Sequence, residues 1–465
     1  MPPKLLEVKP RDKTMQNLKK LDTARRRLSS VGTTAGDDVG AEWLGGRVTI
    51  HKPMRHRDPK EIHRVSSALE KLFDLTLVVA LSAVSRQFAA NLMAGTTAEV
   101  VVTNTIVFVM SFFTIWNTWF PFVWFATTYD VDDVCFRLAT LGEMVGVLMI
   151  SDGIAHDPTE IVDGYILLRF CHSFLLRFRA AYQDPDRREV NLKHGALSAL
   201  VMLCWYFQQT YAKSIVAQAS SFAFLAICDL AAPYIAQRTS KTKTKYHAHH
   251  VTDRYSEFTI MVFGESILSL SHATVMKSDG VFNLEAVSTC VASLVLLFAL
   301  WWVYFLVPYG QILHDNPSLT YVVGYGHFFV HAPLAAFATG IYMAGLATRH
   351  PMAATEANER RLSDSSATTT SMDTMSLTAF TIATSVTVYL VVIPLMLNLP
   401  RTILARNSLA GLVMLLLAAF VAPHVSVSTL MWLFCLPVTL TLVHILVSHR
   451  NKQKYQMPAA VAATG

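Results

Sequence analysis

Apolar residues along the chain come in blocks of about 20, the length of helix that crosses roughly 30 Å of hydrocarbon, with short polar connections between them. The pattern predicts helices near residues 72–92, 101–127, 135–151, 162–181, 194–212 and 215–236, then near 255–276, 286–307, 321–346, 377–398, 408–423 and 427–447. The expected fold class is therefore all-α, a polytopic transmembrane bundle of about twelve helices. Residues 1–65 are polar and rich in Lys and Arg, and read as a disordered basic cytoplasmic tail; residues 449–465 read as a second cytoplasmic tail. Between them the chain divides into six-helix halves at 66–240 and 241–448, the second interrupted by a Ser/Thr-rich loop at 347–376.

Composition sharpens this picture. With 52% hydrophobic and only 15% charged residues in 465, and a mean hydropathy of +0.38, an ordinary soluble protein is excluded. The six cysteines all lie in apolar segments without paired spacing, which argues against a disulfide framework or a zinc site. The net charge of +6 collects at the chain ends and in a few loops, so it reports topology rather than a nucleic-acid partner. Placing the basic tail inside also puts Arg177, Arg179, Arg187, Arg188 and Lys193 inside, with Arg238, Lys241, Lys243 and Lys245, then Arg401 and Arg406, and last Arg450, Lys452 and Lys454. The acidic stretch Asp152, Asp157, Glu160 and Asp163 falls outside. Both termini come out cytoplasmic, in a multi-pass protein of the plasma membrane. The loop at 347–376 falls outside, although Arg360, Arg361, Leu362 and Ser363 resemble a cytosolic kinase site. No cleavable signal peptide precedes Ser66, so the first span is expected to act as its own insertion signal.

A possible duplication supports an even number of spans. Phe113, Trp116, Trp119, Phe120 and Asp130 are matched by Phe298, Trp301, Tyr304, Phe305 and Asp315 at a constant offset of 185 residues. Such a repeat would relate two halves of the same orientation about an axis along the membrane normal, with Asp74 and Glu265 as approximate counterparts.

Ionisable residues within the blocks are the candidate chemistry. A charge in hydrocarbon costs about 2.5–3.5 kcal/mol even on lenient scales, so each needs a partner, water or a proton. Glu70 and Asp74 are four apart and share one helix face. His250, Asp253 and Arg254 form a cluster at a helix entrance, and Glu265 follows Arg254 by eleven residues, about 16 Å of rise, reaching mid-bilayer depth. Gly264 beside it is expected to let another helix approach. Glu143 and Asp229 complete the candidate ion pathway, while Arg86, Arg169, His172, His327 and His331 are expected as polar contacts between helices. His327 and His331 have the i, i+4 spacing of a chelating pair but no clear third ligand, so neither a metal nor another cofactor is expected. Four acids, Asp74, Glu143, Asp229 and Glu265, against Arg86 and Arg169 leave a negative interior, which favours protons or monovalent cations over anions.

EKLFDL at 70–75, TWF at 118–120 followed by Asp130, Asp132 and Asp133, HVTDR at 250–254, FGESIL at 263–268, LWWVYF at 300–305 and His331 together resemble the low temperature requirement A family of bacterial and fungal polytopic membrane proteins. The resemblance covers roughly residues 66–346, and departs from the family pattern at Lys71, at Asp253 and at Thr127, Thr128 and Tyr129. It implies an integral membrane protein, named for a cold-growth phenotype, and supplies no substrate. The residues themselves favour a proton- or cation-linked transporter or channel working through buried carboxylates. The alternative is a non-transporting membrane scaffold or a stress- or temperature-response sensor, acting through the basic tail and the Ser/Thr-rich loop. No zincin motif, nucleophile elbow, phosphate-cradling loop or paired protease aspartates occur, so an enzyme is not expected and no residue is assigned a catalytic role. Membrane lipids are the expected partners, and a homo-oligomer is compatible with the pattern.

Overall fold

In the computed structural model, which describes residues 42–43, 46–47, 51–57, 66–129, 131–242, 244, 246–274, 277–278, 281–349 and 374–461, the apolar blocks fold as twelve long helices. They are α1 (Ala68–Ala94), α2 (Ala98–Thr128), α3 (Val134–Ala155) and α4, which runs from Pro158–Phe170 through a π-helical turn at Cys171–Arg177 into Phe178–Gln183. Next come α5 (Arg188–Tyr211), α6 (Ile215–Thr239), α7 (Ala248–Ala273), α8 (Leu284–Phe305) and α9, whose first part Thr320–Gly326 continues beyond His327 as Phe328–Ala347. The last are α10 (Thr374–Met396), α11 (Arg401–Phe420) and α12 (Val427–Val461). A short helix, Tyr309–Asp315, joins α8 to α9, and two-residue strands pair at 42–43 with 46–47 and at 277–278 with 281–282. The chain forms two compact units, Met1–His51 and Lys52–Gly465, and all twelve helices belong to the second. Most of the expected tail over 1–65, the positions Asp130, Lys243 and Lys245, and nearly all of the loop at 347–376 with Ser363 lie outside the described residues.

Eight helices, α2, α3, α6 and α8 through α12, are long and apolar enough to cross a membrane by length and composition among the described residues. The other four, α1, α4, α5 and α7, carry more polar residues, and α1 illustrates where these go. Glu70 and Asp74 are buried while Leu72, Leu75 and Val79 are exposed. That is the arrangement a helix in lipid requires, with the polar stripe turned into the protein. Local signals set the helix starts. Ser67 and Glu70 form a reciprocal capping box on α1, and Asp133, Ser214 and Asn283 each accept a backbone N–H at the starts of α3, α6 and α8.

Packing follows two similar chains of contacts: α3 packs on α1 and α4, with α5 on α4, and α9 packs on α7 and α10, with α11 on α10. Between α3 and α4 the backbones nearly touch. A Cβ on Gly146 would lie 2.7 Å from the Gly164 carbonyl, and one on Gly164 would lie 2.6 Å from that of Gly146. The buried rings of α2 line the centre, with Trp119 4.4 Å from Phe258 of α7 and Phe122 4.2 Å from Phe73 of α1 between ring centroids. The aromatic residues at the 185-residue offset do not share surroundings: Trp119 and Tyr304 are both buried, but Phe113, Trp116 and Phe120 are buried where Phe298, Trp301 and Phe305 are exposed.

Lys52–Arg57 lies across the end of the bundle where α2 stops and α3 starts. Its backbone N–H groups donate to Asp133 from Lys52 at 2.9 Å, to Gln183 from Met54 at 3.0 Å and to the Thr128 carbonyl from Arg57 at 3.0 Å. Arg179 donates to the other Asp133 oxygen, Oδ1, through Nη1 at 3.0 Å, pairs through Nη2 with the Oδ2 that accepts from Lys52, and also bonds the Lys52 carbonyl at 3.0 Å. Burial pushes the Asp133 carboxyl up, but Arg179 and the N–H groups of Lys52 and Phe136 outweigh it and hold the group below its ordinary value.

Candidate functional site

The polar stripe of α1 meets α7 where both helices begin. Arg254, fully buried, donates from Nη1 to Asp74 Oδ2 at 2.6 Å and from Nη2 to Oδ1 at 2.7 Å, a bidentate fork. Nη1 also reaches Glu257 at 2.8 Å, and Nε lies 3.5 Å from Glu70. His250 stands 3.4 Å from Glu70 and 2.8 Å from the Thr127 hydroxyl, and the Trp119 indole donates to Asp74 at 3.1 Å. The sequence therefore named four members of this cluster, Glu70, Asp74, His250 and Arg254. Asp253 is not one of them: it is exposed on the other side of α7. A bidentate guanidinium leaves Asp74 fixed, and the contact ties helices 180 residues apart.

A second cluster joins α2, α4 and α6. Asp229 Oδ2 accepts from Arg169 at 2.7 Å and from Asn117 at 2.8 Å, and also from the Tyr165 hydroxyl. Asn117 reaches the Tyr165 oxygen at 2.7 Å and Arg169 reaches it at 2.5 Å. On one side of Tyr165 lies a cavity of about 430 Å³ between the ends of α1 and α5 and the starts of α2, α4 and α6. Its walls are mainly apolar, with the carboxamides of Gln87, Asn91, Gln208, Gln209 and Gln218 among them. On the other side, Asn117, Arg169 and Asp229 line a small pocket of about 20 Å³ together with Arg177, His194 and Tyr246.

Glu143 and His172 adjoin this second cluster. Both Glu143 oxygens are buried without a hydrogen-bond partner among the described residues, and one lies 3.4 Å from His172 Nδ1. Arg177 Nε donates to His172 Nε2 at 3.4 Å, which leaves the ring proton on Nδ1, facing Glu143. His172 and Arg177 both sit in the π-helical turn of α4, a rare element that recurs at functional positions. Arg177, Asn117, Tyr165 and His194 were not among the sequence candidates. Arg177 was assigned to a cytoplasmic linker on charge, yet it is buried with its guanidinium 5.0 Å over the Phe125 ring.

Several expectations are corrected. Glu265 is buried at the face of α7 that meets α1 and accepts from Ser269 at 2.9 Å, but Gly264 is exposed, with nothing within 4 Å of where its Cβ would stand, so it marks no helix approach. Asp74 and Glu265 are not matched in depth, since Asp74 lies in the second turn of α1 and Glu265 in the fifth turn of α7. Arg86 is exposed and bonds the Ser82 carbonyl; Arg177 and Arg254 are buried with Arg169 instead, and among the described residues the buried acids, Glu70 now with them, still outnumber the buried arginines. His327 bonds Tyr304 at 2.9 Å and its own helix at Val323, and His331 bonds Thr259 at 3.0 Å, so they serve as helix contacts. Among the described residues, no group of three or more His, Cys, Asp or Glu is arranged to hold a metal ion.

A family model described as bacterial low temperature requirement A protein matches residues 65–447, including the last three helices, which the sequence motifs alone had left out. No curated protein and no solved structure matches the chain.

Proposed function

We propose that this chain, which belongs to the bacterial low temperature requirement A family, is a proton- or cation-linked transporter or channel whose path runs between α2, α4, α5 and α6. The observation that carries this reading is the position of Asp229: an ionisable group that lines the small pocket and is hydrogen-bonded to Tyr165, which lines the cavity of about 430 Å³. Intramembrane acids linked in this way to two cavities are where a proton can be bound and released. As a carboxylate, Asp229 holds Arg169, Asn117 and Tyr165 together across three helices. Protonation would remove the charge that binds Arg169 and loosen the contact, so proton occupancy and helix separation are coupled. Glu143, facing the ring proton of His172, is the second proton site in this scheme. The path lies in the first half of the chain, away from the Asp74 and Arg254 fork, which acts as a strut. The protein is further proposed to lie in the plasma membrane with both termini cytoplasmic, which turns the large cavity outward. The test is proton and potassium flux in proteoliposomes. Wild-type flux should fall at least tenfold in Asp229→Asn, with Glu143→Gln reduced less. Absence of wild-type flux would remove the transporter reading in favour of a membrane scaffold.

A further inference from the structure

The small pocket beside Asp229 is lined by a buried arginine, Arg177, that touches no carboxylate of the described residues. Arg177 is only 7% exposed, yet among the described residues its side chain makes one hydrogen bond, from Nε to the neutral acceptor His172 Nε2, and no carboxylate comes within 4 Å of it. Its guanidinium lies over the face of Phe125. The neighbouring Arg169 is nine-tenths buried or more, and its Nε is buried with no hydrogen-bond partner among the described residues. His194 of α5 completes that wall, and among the described residues the one acid lining the pocket is Asp229, already taken by Arg169, Asn117 and Tyr165. The acid nearest in this network, Glu143, is separated from Arg177 by His172, so the guanidinium's open side faces the pocket without a charge in contact, an arrangement a fold avoids unless something else supplies the counter-charge.

We propose that this pocket binds a small monovalent anion, a halide or the carboxylate head of an organic acid, with Arg177 as its principal ligand and Arg169 and His194 beside it. The space of about 20 Å³ suits that size, since roughly 10–15 Å³ holds one water-sized group. Guanidinium groups bind carboxylates in a two-pronged geometry and halides as point charges. The inference rests on the transporter reading and names its cargo. A proton arriving at Asp229 frees Arg169, which adds a second cation to the anion site, so proton and anion move together with no net charge.

The experiment is thermal unfolding of the full-length protein in detergent, in halide-free HEPES buffer, titrated separately with sodium chloride, sodium formate and sodium acetate. Ligand binding to the folded state raises the midpoint in a saturable way. At least one of the three should do so in the wild type: chloride alone identifies a free halide site, and formate or acetate a carboxylate site. In Arg177→Gln the concentration needed should rise at least tenfold, and without added anion this variant should be as stable as the wild type or more so. An arginine with a purely structural role would give the opposite result, a less stable variant at every salt concentration. Should Arg177→Gln not yield folded protein, Arg177→Lys keeps the charge but loses the fork, and a several-fold weaker response is expected. No saturable shift in the wild type with any of the three salts overturns the proposal, as does an unchanged response in the folded variant. A saturable anion response without flux in proteoliposomes would remove the transporter reading and leave the site; flux without the response would do the reverse.

Discussion

At the scale of single residues, burial and pairing decide which ionisable groups are structural. Glu70 and Asp74 were legible as a buried acidic face because their spacing is local, but their partner could not be read, since Arg254 lies 180 positions away and looked like a residue anchoring a helix entrance. Arg177 was misread for a related reason. Basic residues near a span end usually report sidedness, and only the three-dimensional course of α4 reveals that this one turns inward. Asp229 was legible as a buried acid, while Asn117 and Tyr165 in their aromatic surroundings gave no signal distinguishing them from packing residues. The Asp74 and Arg254 fork yields a direct prediction. Removing Arg254 leaves Asp74 buried without its cation, so Arg254→Met should destabilise the protein by about 3–5 kcal/mol, and Asp74→Asn, which leaves Arg254 its contacts with Glu257 and Glu70, should cost less. The double variant Asp74→Asn with Arg254→Met should lose less than the two singles combined, because each single already removes the same fork. Thermal unfolding of the four proteins checks it, and additive losses would mean the two groups act independently.

At the scale of elements, the interesting departures are the ones that periodicity does not encode. An apolar block predicts a helix but not whether one turn is widened, so the π-helical turn at Cys171–Arg177 was invisible in the sequence although the helix containing it was not. Likewise the polarity of residues 52–57 gave no sign that their backbone would be fastened to the bundle, since hydrogen bonds from main-chain N–H groups depend on no side chain of the strap. Asp133 is the keystone of that fastening, accepting from Lys52 and Arg179 while capping α3. Its folded-state carboxyl titrates below the ordinary value, so its contribution to stability is complete above about pH 4 and is lost as the pH falls through the lower folded-state value. Limited proteolysis within residues 52–57 should therefore accelerate as the pH drops below about 4, using a protease active in acid. In Asp133→Asn cleavage should already be fast at neutral pH and should change little with acidification. A wild-type cleavage rate that is flat with pH would mean that the strap is held by its other bonds, to Gln183, Thr128 and Arg179.

At the scale of the whole molecule, the number of helices was legible because each crossing must satisfy its own backbone in lipid, which forces a block of fixed length onto the sequence. The arrangement of those helices was not legible, because lipid-facing and protein-facing apolar residues look alike. The aromatic offset of 185 residues illustrates this: three of the four rings that pack inside the first half have exposed counterparts in the second, Tyr304 alone being buried like Trp119. The similar contact chains α1, α3, α4, α5 and α7, α9, α10, α11 nevertheless keep a duplicated origin as a proposal worth pursuing. Sidedness is the global property on which the transport reading depends. Helix order places the mouth of the large cavity at the end opposite the starts of α1 and α7, so cytoplasmic termini put Gln208, Gln209 and Gln218 toward the outside. In a variant lacking the six native cysteines, Gln209→Cys should therefore react with a membrane-impermeant maleimide added to intact cells, whereas Arg238→Cys at the other end of α6 should react only after the membrane is opened. The two positions lie at opposite ends of the bundle, so their reactivities must be reciprocal whichever way the protein is inserted. Reaction of Arg238→Cys in intact cells with Gln209→Cys silent would invert the topology. It would then make the pocket at Arg177 the side first met by solutes from outside and the large cavity the cytoplasmic exit.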